Sequence, residues 1–441
     1  LIAAIYLLAV IITTLVKAVG IAYHTTTGRN NLEKAQRVNW HARLGQLENP
    51  EQFMQQDGSN RRREFRSDVH QANLAEIAAH PDSYPKPSRL YNAVIVAAYN
   101  ESIDVLQPTF ESLLETTYDK KHMIVVLAYE ERGGKAIEQT ALQVQKLYGD
   151  KFYALHIVRH PKNIVGEVVG KGGNITYAGK YLEKWIKKQH IPYEAVVITT
   201  LDSDNKPHPA YFDYLMYEYI VHPDRKQLSY QPICLFINNI WDVPAPMRVV
   251  ATGNSFWNII SAMRPHTLRN FASHSQPMDA LVEMDFWSTR TIVEDGHQYW
   301  RSYFHFDGNY AVLPLYVPIS QDAVLSSTYI RTLKAQFIQL RRWAYGASDV
   351  PYVATRILRR DRTVPLWGSL ARLTRLIDSH VTLASVALLI AFGGWVPLLI
   401  NPEAAHSIAA HQLPEVISRV QQIALVGLFI TIFFAFKMLP P

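Results

Sequence analysis

Two acidic residues at one end of an apolar run have the spacing of a cation-binding loop. Asp202-Ser203-Asp204 directly follows the apolar run Val196 to Leu201. Mg²⁺ and Mn²⁺ take oxygen ligands from one or two carboxylates and complete their shell with substrate phosphate oxygens. Asp202 and Asp204 are therefore candidate ligands for Mg²⁺ or Mn²⁺, although an isolated Asp-x-Asp is more often a solvated loop.

A second acidic motif, Glu294-Asp295-Gly296, precedes a stretch with helical periodicity through Tyr303. A carboxylate in this motif can act as a general base that takes a proton from an attacking hydroxyl group. The alternative is a helix N-cap, because an Asp before a helix accepts hydrogen bonds from free backbone N–H groups. The sequence leaves both interpretations open for Asp295.

A third motif, Gln339-Leu340-Arg341-Arg342-Trp343, lies within Tyr329 to Tyr345, whose apolar positions predict an amphipathic helix. Gln339, Arg342 and Trp343 are three and four residues apart, so they share one helix face. Arg binds a diphosphate through paired N–H groups, and Trp offers a flat face to a sugar ring. A membrane-surface helix with interfacial Arg and Trp would show the same pattern.

Further features of the sequence limit the ligands and partners that we expect. Gly170-Lys171-Gly172-Gly173-Asn174 opens a predicted helix and can approach a phosphate closely, but it lacks the P-loop spacing. The 17 His residues form no zinc-binding pattern, and the single Cys234 excludes an internal disulfide. The net charge of +6 comes without a basic stripe, which argues against nucleic acid as a partner.

Strand and helix patterns alternate through the polar middle of the chain. Four apolar runs predict buried strands: Asn92–Ala98, Met123–Ala128, Phe152–Val158 and Ala195–Leu201. Helical periodicity lies between them, at Val105–Thr116, Ala136–Tyr148 and Ile175–Gln189. This alternation predicts a doubly wound parallel sheet. Ligands bind beyond the carboxyl ends of such strands, where the acidic loops fall.

Apolar segments near both ends predict membrane spans. Leu1–Val16 is uncharged, and Ser379–Ile400 and Val420–Phe436 contain no Asp, Glu, Lys or Arg. Arg residues crowd the approach to the second span, so the positive-inside rule predicts a multi-pass inner (plasma) membrane protein whose polar middle is cytoplasmic. Buried helices of a large soluble protein are the alternative. We expect residues before Leu1 and further helices after Pro441.

In this order the motifs resemble the membrane-bound family 2 inverting glycosyltransferases, the group containing bacterial cellulose synthase and hyaluronan synthase. The resemblance covers Tyr91 to about Ala347 and rests on Ala98-Tyr99-Asn100-Glu101, Lys171 with Asn174, Asp202-Ser203-Asp204, Glu294-Asp295 and Gln339-x-x-Arg342-Trp343. It implies a GT-A-like, doubly wound, mostly parallel α/β sheet domain flanked by transmembrane α-helices.

The resemblance also implies a role for each motif. Asp295, with Glu294 beside it, would be the catalytic base, and Asp202 and Asp204 would bind Mg²⁺ or Mn²⁺. The residues expected to bind the nucleotide sugar are Tyr99, Glu101, Glu130, Lys171, Asp202, Asp204, Gln339, Arg342 and Trp343.

Two segments depart from the family pattern. Tyr129-Glu130-Glu131-Arg132-Gly133 stands where the family usually has Asp-Asp. The residue that contacts the nucleotide can therefore lie one or more positions from Glu130. Phe271 to Asp279 contains no family-like Gly-Thr pair, so the acceptor can differ from a growing glucan.

The expected organisation follows from the motifs and the apolar segments together. We expect a transmembrane helix at 1–20, a basic cytoplasmic linker at 21–90, a cytosolic GT-A domain at 91–328, amphipathic interfacial helices at 329–375, and transmembrane helices at 376–400 and 416–437.

The expected function is that of a metal-dependent hexosyltransferase. It would move a sugar from a nucleotide sugar, expected to be a UDP-sugar, to a growing polysaccharide at the cytoplasmic membrane face. The expected partners are this donor, a glycan or lipid-linked acceptor, the lipid bilayer and accessory secretion subunits. Two alternatives stay open: transfer of a single sugar to a lipid-linked or other membrane acceptor, and a non-catalytic membrane protein that senses nucleotide sugars or serves as an assembly subunit.

Overall fold

The computed structural model describes residues 20–21, 23–54, 64–392 and 433. Two compact units are distinguished along the chain. One, here called the core unit, comprises Asn30–Asp349 with Thr363–Pro365, and the other comprises Leu1–Arg29, Val350–Arg362 and Leu366–Pro441. Every candidate site residue belongs to the core unit.

A mixed eight-stranded sheet runs through the core unit. Its strands are β1 (Tyr91–Ala98), β2 (Met123–Glu130), β3 (Ala154–His160), β4 (Val196–Asp202), β5 (Lys206–Pro207), β6 (Leu228–Phe236), β7 (His274–Pro277) and β8 (Ala311–Gln321). They lie in the order β3-β2-β1-β4-β7-β6-β8-β5. The strands from β3 to β4 are parallel, whereas β7 is antiparallel to both β4 and β6. The predicted parallel sheet is therefore confirmed for its first half, and the second half is mixed.

The described helices are α1 (residues 23–36), α2 (Trp40–Gln46), α3 (Glu51–Met54), α4 (Ser67–Ala79), α5 (Ile103–Glu115), α6 (Gly134–Tyr148), α7 (Lys171–Lys188), α8 (Tyr211–Val221), α9 (Ala245–Ala262), α10 (Met278–Glu283), α11 (Glu294–His305), α12 (Tyr329–Ala344), α13 (Asp349–Ile357) and α14 (Leu366–Phe392). The helices predicted from periodicity correspond to α5, α6, α7, α11 and α12. Helix α7 begins at Lys171, so the glycine-rich motif forms its first turn.

Both faces of the inner strands β1 and β2 are buried, which is why these two strands are mostly apolar. In β1 the side chains from Ala93 to Val96 are fully buried. Ala93 and Ile95 belong to a hydrophobic cluster that includes Ile175 and Leu182 of α7. Because successive strand residues point to opposite faces, Val94 and Val96 are buried on the other face. Packing on both faces fixes α7 beside the strand ends.

The described part of the segment predicted as a basic linker, 21–90, contains the helices α1, α2, α3 and α4. The ring of Trp40 stacks on Tyr214 of α8 with centroids 3.7 Å apart, and Trp40 is buried. In α4, the Nδ1 atom of His70 lies 2.9 Å from the hydroxyl oxygen of Tyr217. These contacts make residues 40–54 and 64–79 packed parts of the core unit. The domain boundaries expected from the sequence stay predictions.

The predicted multi-pass membrane location is wrong for the part of the chain that the structure describes, since no helix there is long and apolar enough to cross a membrane. The predicted span 376–400 overlaps α14, whose first half contains Arg372, Arg375 and Asp378. These charges interrupt the apolar surface that a span needs. Apart from residues 20 and 433, the predicted spans 1–20 and 416–437 lie outside the described residues, as does 393–400.

Candidate functional site

The carboxyl ends of β1, β2 and β4 lie side by side at one edge of the sheet. In this register Asp202 pairs with Ala97. The side-chain nitrogen of Asn174, in the first turn of α7, donates to the carbonyl oxygens of Ala98 at 3.3 Å and Ala128 at 2.8 Å. The N-terminus of α7 is thereby fixed against the ends of β1 and β2, so the predicted loops open toward it.

Lys171 and Asp202 form an ion pair at this edge, with Nζ 2.7 Å from Oδ1. Burial alone would raise the pKa of Asp202, but the Lys171 ammonium, and to a smaller degree Arg342, keeps it below its usual value. Burial would lower the pKa of Lys171, yet Asp202 and then Glu294 raise it above its usual value. Both members of the pair are therefore charged at neutral pH.

Asp204 lies in a more negative environment than Asp202. Its Oδ2 accepts a hydrogen bond from the backbone N–H of Asp322 at 3.1 Å, and its Oδ1 accepts one from the Asn205 side chain at 3.1 Å. Burial, followed by the carboxylates of Asp202 and Asp322, raises the pKa of Asp204 to about 7. A cation near these carboxylates would relieve their mutual repulsion.

The predicted cation ligands provide only a small donor set. Across the described residues there is no group of three or more His, Cys, Asp or Glu that could hold a metal ion. Mg²⁺ needs only one or two protein carboxylates when substrate phosphates complete its shell. Asp202 and Asp204 supply the two carboxylates that this smaller requirement needs, and burial, followed by the charges of Asp202 and Asp322, raises the pKa of Asp204.

Glu294 and Asp295 are the first two residues of α11, and the N-cap position is occupied by Val293. Asp295 is therefore not the cap. Its Oδ2 accepts a hydrogen bond from the backbone N–H of Ala272 at 2.6 Å, and its Oδ1 accepts one from Gly296 at 2.7 Å. Burial raises the pKa of Asp295, and these two N–H groups offset part of the rise. Burial and the neighbouring Asp295 charge raise the pKa of Glu294 to about 8.

Close packing brings the start of α11 to the start of α7. A Cβ atom on Gly172 would lie 2.5 Å from the carbonyl oxygen of Ser288 and 3.1 Å from Cβ of Glu294. Glycine at this position lets the two helices approach. Consistent with this approach, the charges of Glu294 and Asp295 both raise the pKa of Lys171.

The residues predicted to hold the nucleoside form a separate group beyond β1 and β2. Oε2 of Glu101 accepts hydrogen bonds from the backbone N–H groups of Tyr99 at 2.6 Å and Asn100 at 3.0 Å, so this carboxylate shapes its own loop. The Tyr99 side chain is 41% exposed, with the Arg132 guanidinium 5.0 Å from its ring centroid. Arg132 also pairs with the buried Glu130. The Tyr99 ring is the accessible part of this group.

Helix α12 carries the third motif. The charge of Arg342 acts on the pKa of Asp202, which ties this exposed side chain to the acidic edge. The Trp343 ring lies edge-on to Phe236 at the end of β6, with centroids 6.3 Å apart. The side chain of Gln339 accepts a hydrogen bond from Gln336 of the same helix at 3.0 Å. The motif therefore reaches the acidic edge through Arg342.

Sequence patterns missed several buried polar residues at the site. His274 of β7 is 1% exposed, and its Nδ1 lies 3.3 Å from the carbonyl oxygen of Ala272. Burial lowers the pKa of His274 to about 4, so the ring is neutral. Asn205 is fully buried, and its Oδ1 accepts a hydrogen bond from the backbone N–H of Asp202 at 3.0 Å. For His274, the available signal was that the segment from Phe271 to Asp279 departs from the family pattern.

No protein-family model matches the chain, and no curated protein matches its sequence. Among solved structures, the mannosyltransferase PcManGT from Pyrobaculum calidifontis, in complex with GDP-Man and Mn²⁺, is 15% identical with a TM-score of 0.39, covering 81% of this chain and 94% of that chain. S. aureus TarS 1–349 in complex with UDP-GlcNAc is 15% identical with a TM-score of 0.41, covering 66% of this chain and 73% of that chain.

A third structure, GalNAc-T7 with UDP, GalNAc and Mn²⁺, is 10% identical with a TM-score of 0.37, covering 66% of this chain and 58% of that chain. None of the three TM-scores exceeds 0.41. These likenesses are too weak to identify the family of the chain.

Proposed function

We propose that the chain is an inverting glycosyltransferase that transfers a sugar from a nucleotide sugar to a hydroxyl group of a glycan acceptor. The observation that carries the proposal is the grouping of Lys171, Asp202 and Asp295 at the carboxyl edge of the sheet. These residues come from three distant segments, and their charges act on one another. Its cationic side chain would bind a diphosphate, and its Asp295 carboxylate would accept a proton from a hydroxyl group.

The donor diphosphate would bind on the Lys171 side of this group. The ammonium of Lys171 and the guanidinium of Arg342 both lower the pKa of Asp202, and both would attract anionic oxygens that bind near it. The N-terminus of α7 adds the positive end of a helix dipole. Mg²⁺ or Mn²⁺ held by Asp202 and Asp204 would stabilise the charge that develops on the leaving nucleoside diphosphate.

Asp295 would act as the general base. It would accept the proton of the acceptor hydroxyl as the new bond from that oxygen to the anomeric carbon forms and the bond to the diphosphate oxygen breaks. Attack opposite the leaving group inverts the anomeric configuration. A raised pKa brings Asp295 closer to neutral pH, which improves a general base. Burial and the Asp295 charge raise the pKa of Glu294, so Glu294 would hold a proton beside this base.

The remaining predicted residues would surround the two substrates. The exposed Tyr99 ring would stack on the base of the nucleotide, here proposed to be uracil, because aromatic rings pair readily with flat bases. Glu101 would shape the loop that carries Tyr99, while Glu130, which Arg132 orients, would face the ribose. Gln339 and Trp343 would close over the pyrophosphate and the acceptor sugar.

A donor panel tests this proposal. The purified chain is incubated with radiolabelled nucleotide sugars and an oligosaccharide panel, in Mn²⁺ or Mg²⁺ and separately in EDTA. We expect transfer from one donor, with release of a nucleoside diphosphate and a requirement for the cation. A ladder of products would indicate polymer synthesis, and a single added sugar would indicate single transfer. Absence of transfer and of nucleotide binding across the whole panel would contradict the proposal.

A further inference from the structure

The turn from Phe271 to Ser273 is held by one buried side chain from another strand. Oε1 of Gln231, in β6, accepts a hydrogen bond from the backbone N–H of Phe271 at 3.1 Å. Its Nε2 lies 3.0 Å from the carbonyl oxygens of both Phe271 and Ser273, and 3.2 Å from that of Pro232. Gln231 is 1% exposed. A single amide therefore bonds to both ends of the turn.

The middle residue of this turn has a strained backbone that points at the proposed base. Ala272 has a φ of 48°, in the left-handed region that non-glycine residues rarely adopt. Such conformations persist only where the surroundings enforce them. In this conformation the N–H of Ala272 donates to Oδ2 of Asp295 at 2.6 Å, while its carbonyl oxygen lies 3.3 Å from Nδ1 of His274.

The other end of the turn reaches the acidic loop after β4. The hydroxyl of Ser273 donates to Oδ1 of Asn205. The same Oδ1 accepts the backbone N–H of Asp202 at 3.0 Å, and Nδ2 of Asn205 donates to Oδ1 of Asp204 at 3.1 Å. The turn thus bonds to Asp295 on one side and, through Asn205, to both proposed cation ligands on the other.

We propose that Gln231 is a positioning residue, which holds this turn so that the Asp295 carboxylate keeps a fixed place relative to the Asp202–Asp204 loop. Its catalytic meaning rests on the proposed function. Gln231 bonds to the turn and not to Asp295 or Asp202. Without these bonds the strained Ala272 can relax, and its N–H then turns away from Asp295.

A pair of variants separates positioning from general stability. Gln231→Met removes the hydrogen bonds to the turn while keeping a long buried side chain. Asn258→Leu is the matched control, because Asn258 is 4% exposed and its Nδ2 donates to the carbonyl oxygen of Cys234, in the same strand, at 2.7 Å. Each variant loses one buried side-chain amide, from β6 in Gln231→Met and from α9 in Asn258→Leu. We therefore expect a similar fall in the unfolding midpoint of both. Only the first removes hydrogen bonds to the turn.

The first readout needs no activity. The protein is labelled with ¹⁵N-alanine, and the Ala272 amide signal is assigned by its absence in Ala272→Gly. A short hydrogen bond to a carboxylate moves an amide proton downfield, and Asp295→Asn defines the shift that follows loss of the charge. We expect Gln231→Met to move the Ala272 proton upfield in the same direction and Asn258→Leu to leave it in place. An unchanged Ala272 signal in Gln231→Met would overturn the inference.

The second readout uses the donor identified by the panel. Because a displacement of about 1 Å can cost about 100-fold in rate, kcat of Gln231→Met should fall by about that factor with donor KM nearly unchanged. Asn258→Leu should keep kcat. A loss of kcat equal in both variants, or a loss confined to donor KM, would overturn the positioning role. An Ala272 shift that follows Gln231 in a protein that transfers from no donor would overturn the proposed function while leaving the held turn intact.

Discussion

Asp202 ends β4 and Asp204 follows it two residues later, yet their pKa values shift in opposite directions because their neighbours differ. Lys171 outweighs the effect of burial on Asp202 and lowers its pKa. Burial, Asp202 and Asp322 raise the pKa of Asp204 to about 7. Pairs of acids whose environments separate their pKa values are typical of functional sites. At neutral pH Asp202 therefore carries a full negative charge. Asp204 readily binds either a proton or a cation.

The buried His274 ring predicts a pH-dependent contribution to stability. Burial lowers its pKa from 6.5 to about 4, so the unfolded chain binds more protons than the folded chain between these values. The stability that the neutral ring contributes is present above 6.5 and is lost as pH falls toward 4, at about 1.4 kcal/mol per pH unit.

Comparison with His274→Gln isolates this contribution, since glutamine does not titrate. Urea unfolding at about pH 7.5 and about pH 5 measures the free energy of unfolding of both proteins. The advantage of the unchanged protein over the variant should shrink at the lower pH. A difference between the two proteins that does not change with pH would contradict the assignment of a neutral, buried His274.

The acidic motifs could be predicted from the sequence, whereas the side chains that orient them could not. Asp202 and Asp295 lie in short segments whose spacing is visible within a few residues. Gln231, by contrast, forms hydrogen bonds with residues that lie 40 to 42 positions away in the chain. A buried glutamine in an apolar strand has no local pattern that identifies its partners, because those partners are set by sheet pairing.

At the level of elements, the start of α7 depends on close packing at its glycines. A Cβ atom on Gly172 would lie 2.5 Å from a backbone oxygen, and one on Gly179 would lie 2.5 Å from the Phe286 ring. The backbone oxygen cannot move as a side-chain end can. Gly172 therefore limits how near α7 lies to the segment that leads into α11.

Gly172→Ala should separate these elements. We expect a loss of about 1–3 kcal/mol in the free energy of unfolding from overpacking, together with reduced sugar transfer, because Lys171 and Glu294 move apart. Gly253→Ala in α9 is the matched control, since a Cβ there meets nothing within 4 Å. Alanine in a helix should stabilise it by about 0.5–1 kcal/mol. Urea unfolding measures both, and equal effects of the two substitutions would contradict the close approach.

Local pattern predicted β1 to β4 but missed most of the second half of the sheet. β6 and β8 contain prolines, Pro232 in β6 and Pro314 and Pro318 in β8, and proline normally argues against an inner strand. The register shifts between Pro232 and Ile233, which accommodates the proline. β7 consists of three polar residues and Pro277, and its polar side chains are buried because they bond to other elements, as Ser275 does to Thr199 of β4 at 2.7 Å. Long-range pairing, and not local propensity, forms these strands.

At the scale of the whole molecule, the N-terminal helices belong to the structure that supports the site. Trp40 stacks on Tyr214, and the buried Arg43 donates to the carbonyl oxygen of Phe65 at 2.8 Å. Asp213 of α8 accepts a hydrogen bond from Thr117, beyond the end of α5, and lies 3.0 Å from His41. The sequence suggested a linker because proline and arginine are frequent there. The few buried aromatic residues of this segment stand among polar residues and show no helical periodicity, so the sequence did not predict these helices.

Trp40→Ala tests whether these helices stabilise the core unit. Removal of a fully buried Trp should lower the free energy of unfolding by about 3–5 kcal/mol. Trp367→Ala is the control, because Trp367 is 82% exposed and a surface substitution should change stability by less than about 0.5 kcal/mol. Urea unfolding followed by circular dichroism measures both. A change in Trp40→Ala no larger than in the control would contradict a supporting role for the N-terminal helices.

In the proposed function, the Asp295 carboxylate is the base of a sugar transfer, and the donor binds in a different part of the same site. Asp295→Asn keeps the side-chain shape and an oxygen for the Ala272 N–H but removes the basic charge. Asp285→Asn is the control, because Asp285 is an exposed carboxylate that pairs with Lys180 at the surface.

The decisive measurement compares kcat for sugar transfer with the affinity for UDP in the presence of Mn²⁺, determined by calorimetry, in the unchanged protein and both variants. We expect Asp295→Asn to lose about 100- to 10,000-fold in kcat while its UDP affinity stays nearly unchanged, and Asp285→Asn to retain both. Undiminished transfer by Asp295→Asn, or a comparable loss of transfer and UDP binding, would contradict the account.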